Sequence, residues 1–295
     1  MYQATQLICD YYKDNHISSN HAKCIMLGRF TMAPISQSQR KKINLSFPNI
    51  AIESLSGYAE QFLENIGFSA VDSLDLTAFE GANKLYNLSM PLSSQNANSI
   101  QAKYDTVFDF GTSEHVFSIP SSIKNSLFML KKGGDLIMSL PMSGFTDHGF
   151  FQISPCFYYA LNNDILELNR LYFYHLTDKT TNILAYDGMH EDFKKHVDGI
   201  YDGSFLANVL SHSGKSFNSF AVFRKKTNNL LDDAEVIQPI YRAMTTGNMP
   251  EDYIPGYKLP FKLRLYRFLH KIIPEVVFSK IVLLTYKKSR LIFSE

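Results

Sequence analysis

Short apolar runs, each closed by a turn residue, recur along the first half of the chain. KCIMLG (23–28) ends in Gly28, FSAVDSLD (68–75) in Asp75, YDTVFDFG (104–111) in Gly111 and DLIMSLP (135–141) in Pro141. Continuous rather than alternating apolarity marks strands buried on both faces, as in a parallel sheet. Helical patterns lie between them. In SIPSSIKNSLFMLKKGG, Ser118 to Gly134, Pro120 suits a first turn and Ile123, Leu127 and Leu130 share one face. Lys131 and Lys132 then fall at the negative end of the dipole, and Gly133 takes the terminating left-handed position. GYAEQFLENIG (57–67) predicts another helix ending at a glycine.

Strand, helix, strand in succession predicts an α/β fold, a doubly wound and mostly parallel sheet with helices on both faces. Farther on, ILELNRLYFYHL (165–176) and SFNSFAVFRKK (216–226) predict two strands separated by a long polar insertion. That change of rhythm points to an antiparallel end of the sheet. At 295 residues the chain accommodates one main domain and an appendage. The expected division is a domain over 1–228, with a helical lead-in 1–20 and a core 21–226, followed by a C-terminal helical extension over 229–295.

Charge changes the picture only at the end of the chain. The formal net charge is +1, which gives no general reason to expect a nucleic-acid partner. From Lys258 onward, however, nine Lys or Arg face two acidic residues, so the preceding residues carry about −6. The segment Pro260 to Phe293 interleaves those basic residues with Leu, Ile, Phe and Tyr, and Pro274 divides it into two helical pieces. Such a segment lies on an anionic membrane surface, docks a partner, or packs on the domain with its basic residues solvated. No run approaches the roughly 18 apolar residues of a spanning helix, and the N-terminus shows no secretory pattern. Cys9, Cys24 and Cys156 fit neither a disulfide framework nor a zinc pattern, which points to a reducing, cytoplasmic compartment.

In an open parallel sheet, ligands sit beyond the carboxyl ends of the strands, where loops and helix N-termini converge. Asp75 there could accept two hydrogen bonds from a ribose diol, or simply cap a turn. Gly28 allows close backbone approach, while Arg29 either pairs with a small carboxylate or is a solvated loop residue. LGRFTM lacks the three spaced glycines of a dinucleotide fingerprint, so pyrophosphate binding is not expected. No metal is expected. His190 with Glu191, and His196 with Asp198, read as surface residues of the polar insertion.

Taken together, MLGR (26–29), SLDLTAFEGA (73–82), LYNLSMPL (85–92), YDTVFDFGTSEHVFSIP (104–120), LKKGG (130–134) and DHGFFQISP (147–155) resemble class I S-adenosylmethionine-dependent methyltransferases. The nearest resemblance is to the branch associated with bacterial surface-polysaccharide and other glycan pathways, and it covers about residues 20–225. It implies a three-layer, seven-stranded sheet with a reversed final hairpin. It further implies S-adenosylmethionine held across the first four strand ends. Gly28 and Arg29 would then lie beside the methionine portion, Asp75 at the ribose, Asn87 near adenine, and Gly111 and Glu114 at the methyl donor.

Methyl transfer to a hydroxyl needs an aligned nucleophile and a proton acceptor, and His is the natural base. His115 follows the fourth strand and His148 the fifth. Each also has a structural alternative, backbone hydrogen bonding for His115 and ordinary loop packing for His148 with Phe150, Phe151 and Gln152. The expected acceptor is a sugar or a glycan precursor, free or lipid-linked, at the inner face of the membrane if the tail docks there. A first loop reduced to one glycine motivates an alternative, a non-catalytic module that keeps the fold and binds a partner.

Overall fold

A computed structural model describes residues 2–14, 21–32, 41, 57–175, 185–189 and 216–247. Five strands run parallel: β1 (Lys23–Leu27), β4 (Ala70–Asp75), β5 (Lys84–Leu85), β6 (Tyr104–Phe110) and β7 (Leu130–Ser139). A two-residue pair, β2 (Thr31–Met32) with β3 (Gly57–Tyr58), stands apart from them. The sheet is completed by β8 (Pro141–Ser143), β9 (Leu166–His175), β10 (Ala185–Asp187) and β11 (Phe217–Lys225). From one edge the order is β10, β9, β11, β7, β6, β1, β4, β5, with β8 paired to β11. Strand β11 runs antiparallel to both β7 and β9, so the reversed end of the sheet is present. Among the described residues the sheet has nine strands rather than seven, the additions being the three-residue β8 and β10.

Alternate residues of the central strands feed two separate cores, and this makes the fold three-layered. Ile25, Leu27, Val107, Leu136 and Met138 face one side. There they meet Ile123 and Leu127 of α3 (Ile119–Met129), and Tyr158 and Leu161 of α4 (Pro155–Leu161). Cys24, Met26, Phe108, Phe110 and Ile137 face the other. They pack on Leu7 and Ile8 of α1 (Tyr2–Asp14) and on Phe62 and Leu63 of α2 (Glu60–Asn65). This second core is unusually aromatic. Tyr12, Phe68, Phe108, Phe110 and Phe220 form a chain of ring contacts with centroids 5.6 to 6.4 Å apart.

Two predicted helices are shorter than their sequence patterns. α3 ends at Met129, and Leu130 is already extended. The Lys-Lys-Gly-Gly stretch belongs to β7, where the four residues between Leu130 and Asp135 lie opposite the single Asp105 of β6. Strand geometry wins here because the groups meant to end the helix have other partners. Lys131 Nζ pairs with Asp105 at 2.8 Å, and the buried Lys225 Nζ caps the Leu127 and Leu130 carbonyls at 2.7 and 2.8 Å. Likewise α2 spans only Glu60–Asn65, because Gly57 and Tyr58 pair with β2.

The N-terminal lead-in is a helix, and it is tied to the sheet by polar groups. Asp135 accepts hydrogen bonds from Tyr11 Oη at 2.8 Å and from Arg224 Nε at 2.8 Å and Nη2 at 2.9 Å. Of the expected C-terminal extension, α5 (Pro239–Thr246) is described and ends at a left-handed Gly247. The basic segment from Lys258 lies outside the described residues. Among those described, no helix is long and apolar enough to cross a membrane.

Phe108 sits at the centre of the aromatic core with no solvent exposure. Phe108→Ala should therefore cost about 3–5 kcal/mol by loss of burial and creation of a cavity. Urea unfolding monitored by circular dichroism will measure it.

Candidate functional site

Chain order reverses between β1 and β6, since β4 and β5 were added on one side of β1 and β6 and β7 on the other. The carboxyl ends of these two strands therefore border the crevice of the fold. Gly28, at the end of β1, has φ +67°, and its N–H donates to Leu74 O at 2.8 Å. A Cβ there would lie 2.5 Å from Thr112 Oγ1, which itself donates to Leu27 O at 2.6 Å. The need for glycine thus arises inside the protein, from lacing the ends of β1 and β6 together.

The other expected cofactor residues also have local partners. Arg29 Nε meets Glu60 Oε1 at 2.5 Å, Nη1 donates to Glu80 O at 2.6 Å, and the guanidinium lies 3.9 Å from the Tyr58 ring centroid. It is not a solvated loop residue. Asp75 Oδ1 accepts from the N–H groups of Leu76 at 2.6 Å and Thr77 at 3.4 Å, so the turn-capping role is real. Beside it Leu76 and Phe79 stand exposed, an apolar surface at the same strand end. Asn87 Oδ1 accepts from Ser89 N, while Gln95 bonds both the N–H and the carbonyl of Asn87.

Past β6 the environment changes character. Gly111 has φ +86°, and a turn of 3₁₀ helix follows, Ser113–His115. Asp109 is completely buried, with Oδ1 accepting from Thr112 N at 3.3 Å and Ser113 N at 3.1 Å. Among the described residues its Oδ2 has no hydrogen-bond partner, and neither does Oε2 of the buried Glu114. Burial pushes the Glu114 carboxyl up to about 8, assisted by the nearby Asp109. Burial raises Asp109 as well.

Glu114, His115 and His148 come together although 32 positions separate the two histidines. Glu114 Oε1 lies 4.0 Å from His115 Nε2 and 3.7 Å from His148 Nε2, and the imidazole centroids are 4.9 Å apart. The loop carrying His148 docks by its main chain, since Phe150 N donates to Glu114 O at 2.8 Å. Gln152 Oε1 in turn accepts from Phe145 N, closing that loop on itself. Burial, then the neighbouring His148, holds His115 below its ordinary pKa and so keeps its lone pair available. Phe117 and Phe150, 5.8 Å apart and both exposed, form an aromatic rim beside the cluster.

Sequence reasoning expects both histidines to reach one cleft and places Glu114 at the methyl donor, but it does not join Glu114 to the two imidazoles, and it misses Asp109. Its signal was a lone carboxylate inside an apolar strand, FDF at 108–110, which only a turn of donors can satisfy. The metal question moves to other residues than those weighed from sequence. The pairs His190 with Glu191 and His196 with Asp198 lie outside the described residues, whereas Glu114, His115 and His148 present ligand atoms within 4.8 Å of one another.

No family model matches the chain, and neither does a curated protein sequence. Similar solved structures include the methyltransferase CalH in complex with S-adenosylhomocysteine, at 10% identity over 76% of this chain, TM-score 0.41. The [4+2]-cyclase SpnF is 9% identical over 74% of this chain and 80% of its own, TM-score 0.41. The YcgJ protein from Bacillus subtilis is 8% identical over 77% of this chain and all of its own, TM-score 0.40. The chain spans 57% of the CalH length. Likeness this weak says nothing of activity. The sheet order itself gives the fold, a Rossmann-like, mostly parallel α/β arrangement with antiparallel strands at one end.

A raised carboxyl pKa makes the folded state hold a proton that the unfolded chain releases, so stability falls as pH rises toward about 8. His115 acts oppositely but only below its ordinary 6.5, where the unfolded chain binds the extra proton. Between about pH 6.5 and 8 the urea midpoint of the wild type should therefore fall. Glu114→Gln should flatten that slope, which parallel denaturation series will show.

Proposed function

We propose that this chain is an S-adenosylmethionine-dependent methyltransferase acting on a hydroxyl or amine of a small-molecule acceptor, a sugar or glycan precursor. One observation carries the reading. The switch-point crevice has Asp75 at one strand end and the Glu114, His115 and His148 cluster at another. A ribose diol at Asp75 would set adenine against the exposed Leu76 and Phe79, near the Asn87 loop. Its sulfonium end would then point past Gly28 and Gly111 toward Glu114, where buried carboxyls favour positive charge.

S-adenosylmethionine held there would supply the methyl group to the acceptor by in-line displacement, the carbon–sulfur electron pair going to S-adenosylhomocysteine. With no ion bound to the cluster, His148, half exposed, would take the acceptor's proton, with His115 beside it. Phe117 and Phe150 suit the apolar face of a sugar ring. The glycan class rests on the motif resemblance. Peripheral membrane contact through the segment 260–293, like a cytoplasmic location, rests on sequence alone.

A second reading, a binding module without catalysis, is favoured by the first loop. There Thr112 fills the space over Gly28 and Glu60 engages Arg29. Calorimetry with S-adenosylhomocysteine separates the two. We expect saturable binding, weakened at least tenfold in Asp75→Ala, and no heat at millimolar ligand would refute the enzyme reading. His148→Ala should lower kcat by about 10²–10⁴ while leaving cofactor affinity within about twofold. An unchanged kcat removes His148 from the mechanism.

A further inference from the structure

We propose that Glu114, His115 and His148 chelate a divalent transition-metal ion. The separations of 3.7 and 4.0 Å from Glu114 Oε1 to the two Nε2 atoms exceed hydrogen-bond length. They suit a shared ion instead, because two atoms each about 2.1 Å from one Zn²⁺ lie roughly 3–4 Å apart, and a small rotation of the half-exposed imidazoles closes the widest separation, within 4.8 Å. The carboxylate is the anchor, its side chain 1% exposed, and the imidazoles flank it at 48% and 52% exposure. An ion held there keeps its solvent side open. The buried Oε2 of Glu114, which has no hydrogen-bond partner among the described residues, supplies a further donor atom on the same side chain.

The set is held in place by backbone, not by flexible side chains. Gly149 has φ +69°, and a Cβ on it would come within 3.0 Å of Glu114 O, 3.1 Å of Glu114 Cγ and 3.3 Å of His115 Cε1. The His148 loop can therefore approach the other two ligands only because residue 149 is glycine. Two imidazole nitrogens and one carboxylate suit Zn²⁺, Fe²⁺, Co²⁺ or Mn²⁺ better than Mg²⁺ or Ca²⁺, which favour oxygen ligands. Three protein ligands leave positions for water or an acceptor oxygen.

The binding itself does not depend on the methyl-donor reading, whereas its consequence does. With an ion present the imidazoles are ligands, not bases. An acceptor hydroxyl bound at an open position is then acidified by the ion and gives its proton to bulk water.

The test uses the full chain, stripped with a chelator and equilibrated with Zn²⁺ or Co²⁺. Bound metal is measured by elemental mass spectrometry, and the Co²⁺ form by visible absorption. We expect about one Zn²⁺ per chain at micromolar free metal, not displaced by millimolar Mg²⁺. His148→Ala and His115→Ala should each weaken Zn²⁺ binding about tenfold or more, while the His190→Ala, His196→Ala double variant leaves it unchanged. Substoichiometric binding, or binding that survives His148→Ala, overturns the site. Calorimetry with S-adenosylhomocysteine on the same samples keeps the two proposals apart. Cofactor without zinc refutes the metal site alone, and zinc without cofactor refutes the methyl-donor reading alone.

Discussion

Strand β6 is paired on both edges and buried on both faces, so the turn at its carboxyl end is fixed by everything around it. Val107 belongs to one core and Phe108 and Phe110 to the other. The chain must nevertheless turn sharply at Gly111, and Asp109 makes that turn possible by accepting two of its N–H groups inside the protein. A buried carboxylate is costly unless hydrogen-bonded, and here it is only half satisfied. The strand end thus stores an electrostatic tension that a purely apolar terminus would lack.

Glu114 inherits that tension. It is carried into the interior five positions after Asp109, and its carboxyl faces two imidazoles rather than a lysine or arginine. Nothing in packing alone calls for an acid at this point. A proton, a sulfonium or a metal ion would each relieve the same deficit, and the proposed functions are different ways of meeting that one demand.

The strands and the switch point were legible because double-sided burial writes continuous apolar runs into β1, β6 and β7, while the half-buried β4 was marked by its closing Asp75. Helix ends were less so. Lys131 and Gly133 look like helix-terminating residues, and only the remote Asp105 and Lys225 reveal that the chain has already become a strand. At the site, single residues could be named, since Glu114 and His148 stand in conspicuous loops. The approach of both histidines to one cleft followed from their strand ends, but their union with Glu114 did not, because it depends on a main-chain contact between Phe150 and Glu114 that leaves no trace in residue type. Asp75 was legible in one of its roles, with both amide contacts made to its immediate neighbours.

That main-chain contact separates what must stay constant from what can vary. The amide of residue 150 docks the loop whatever side chain residue 150 carries, and Phe150 itself points into the open rim with Phe117. Rim residues can therefore be exchanged without unseating the histidine loop. The cluster is thus insulated from its mouth: substitutions at the two exposed rings change the surface offered to a ligand while Glu114, Gly149 and both histidines keep their register.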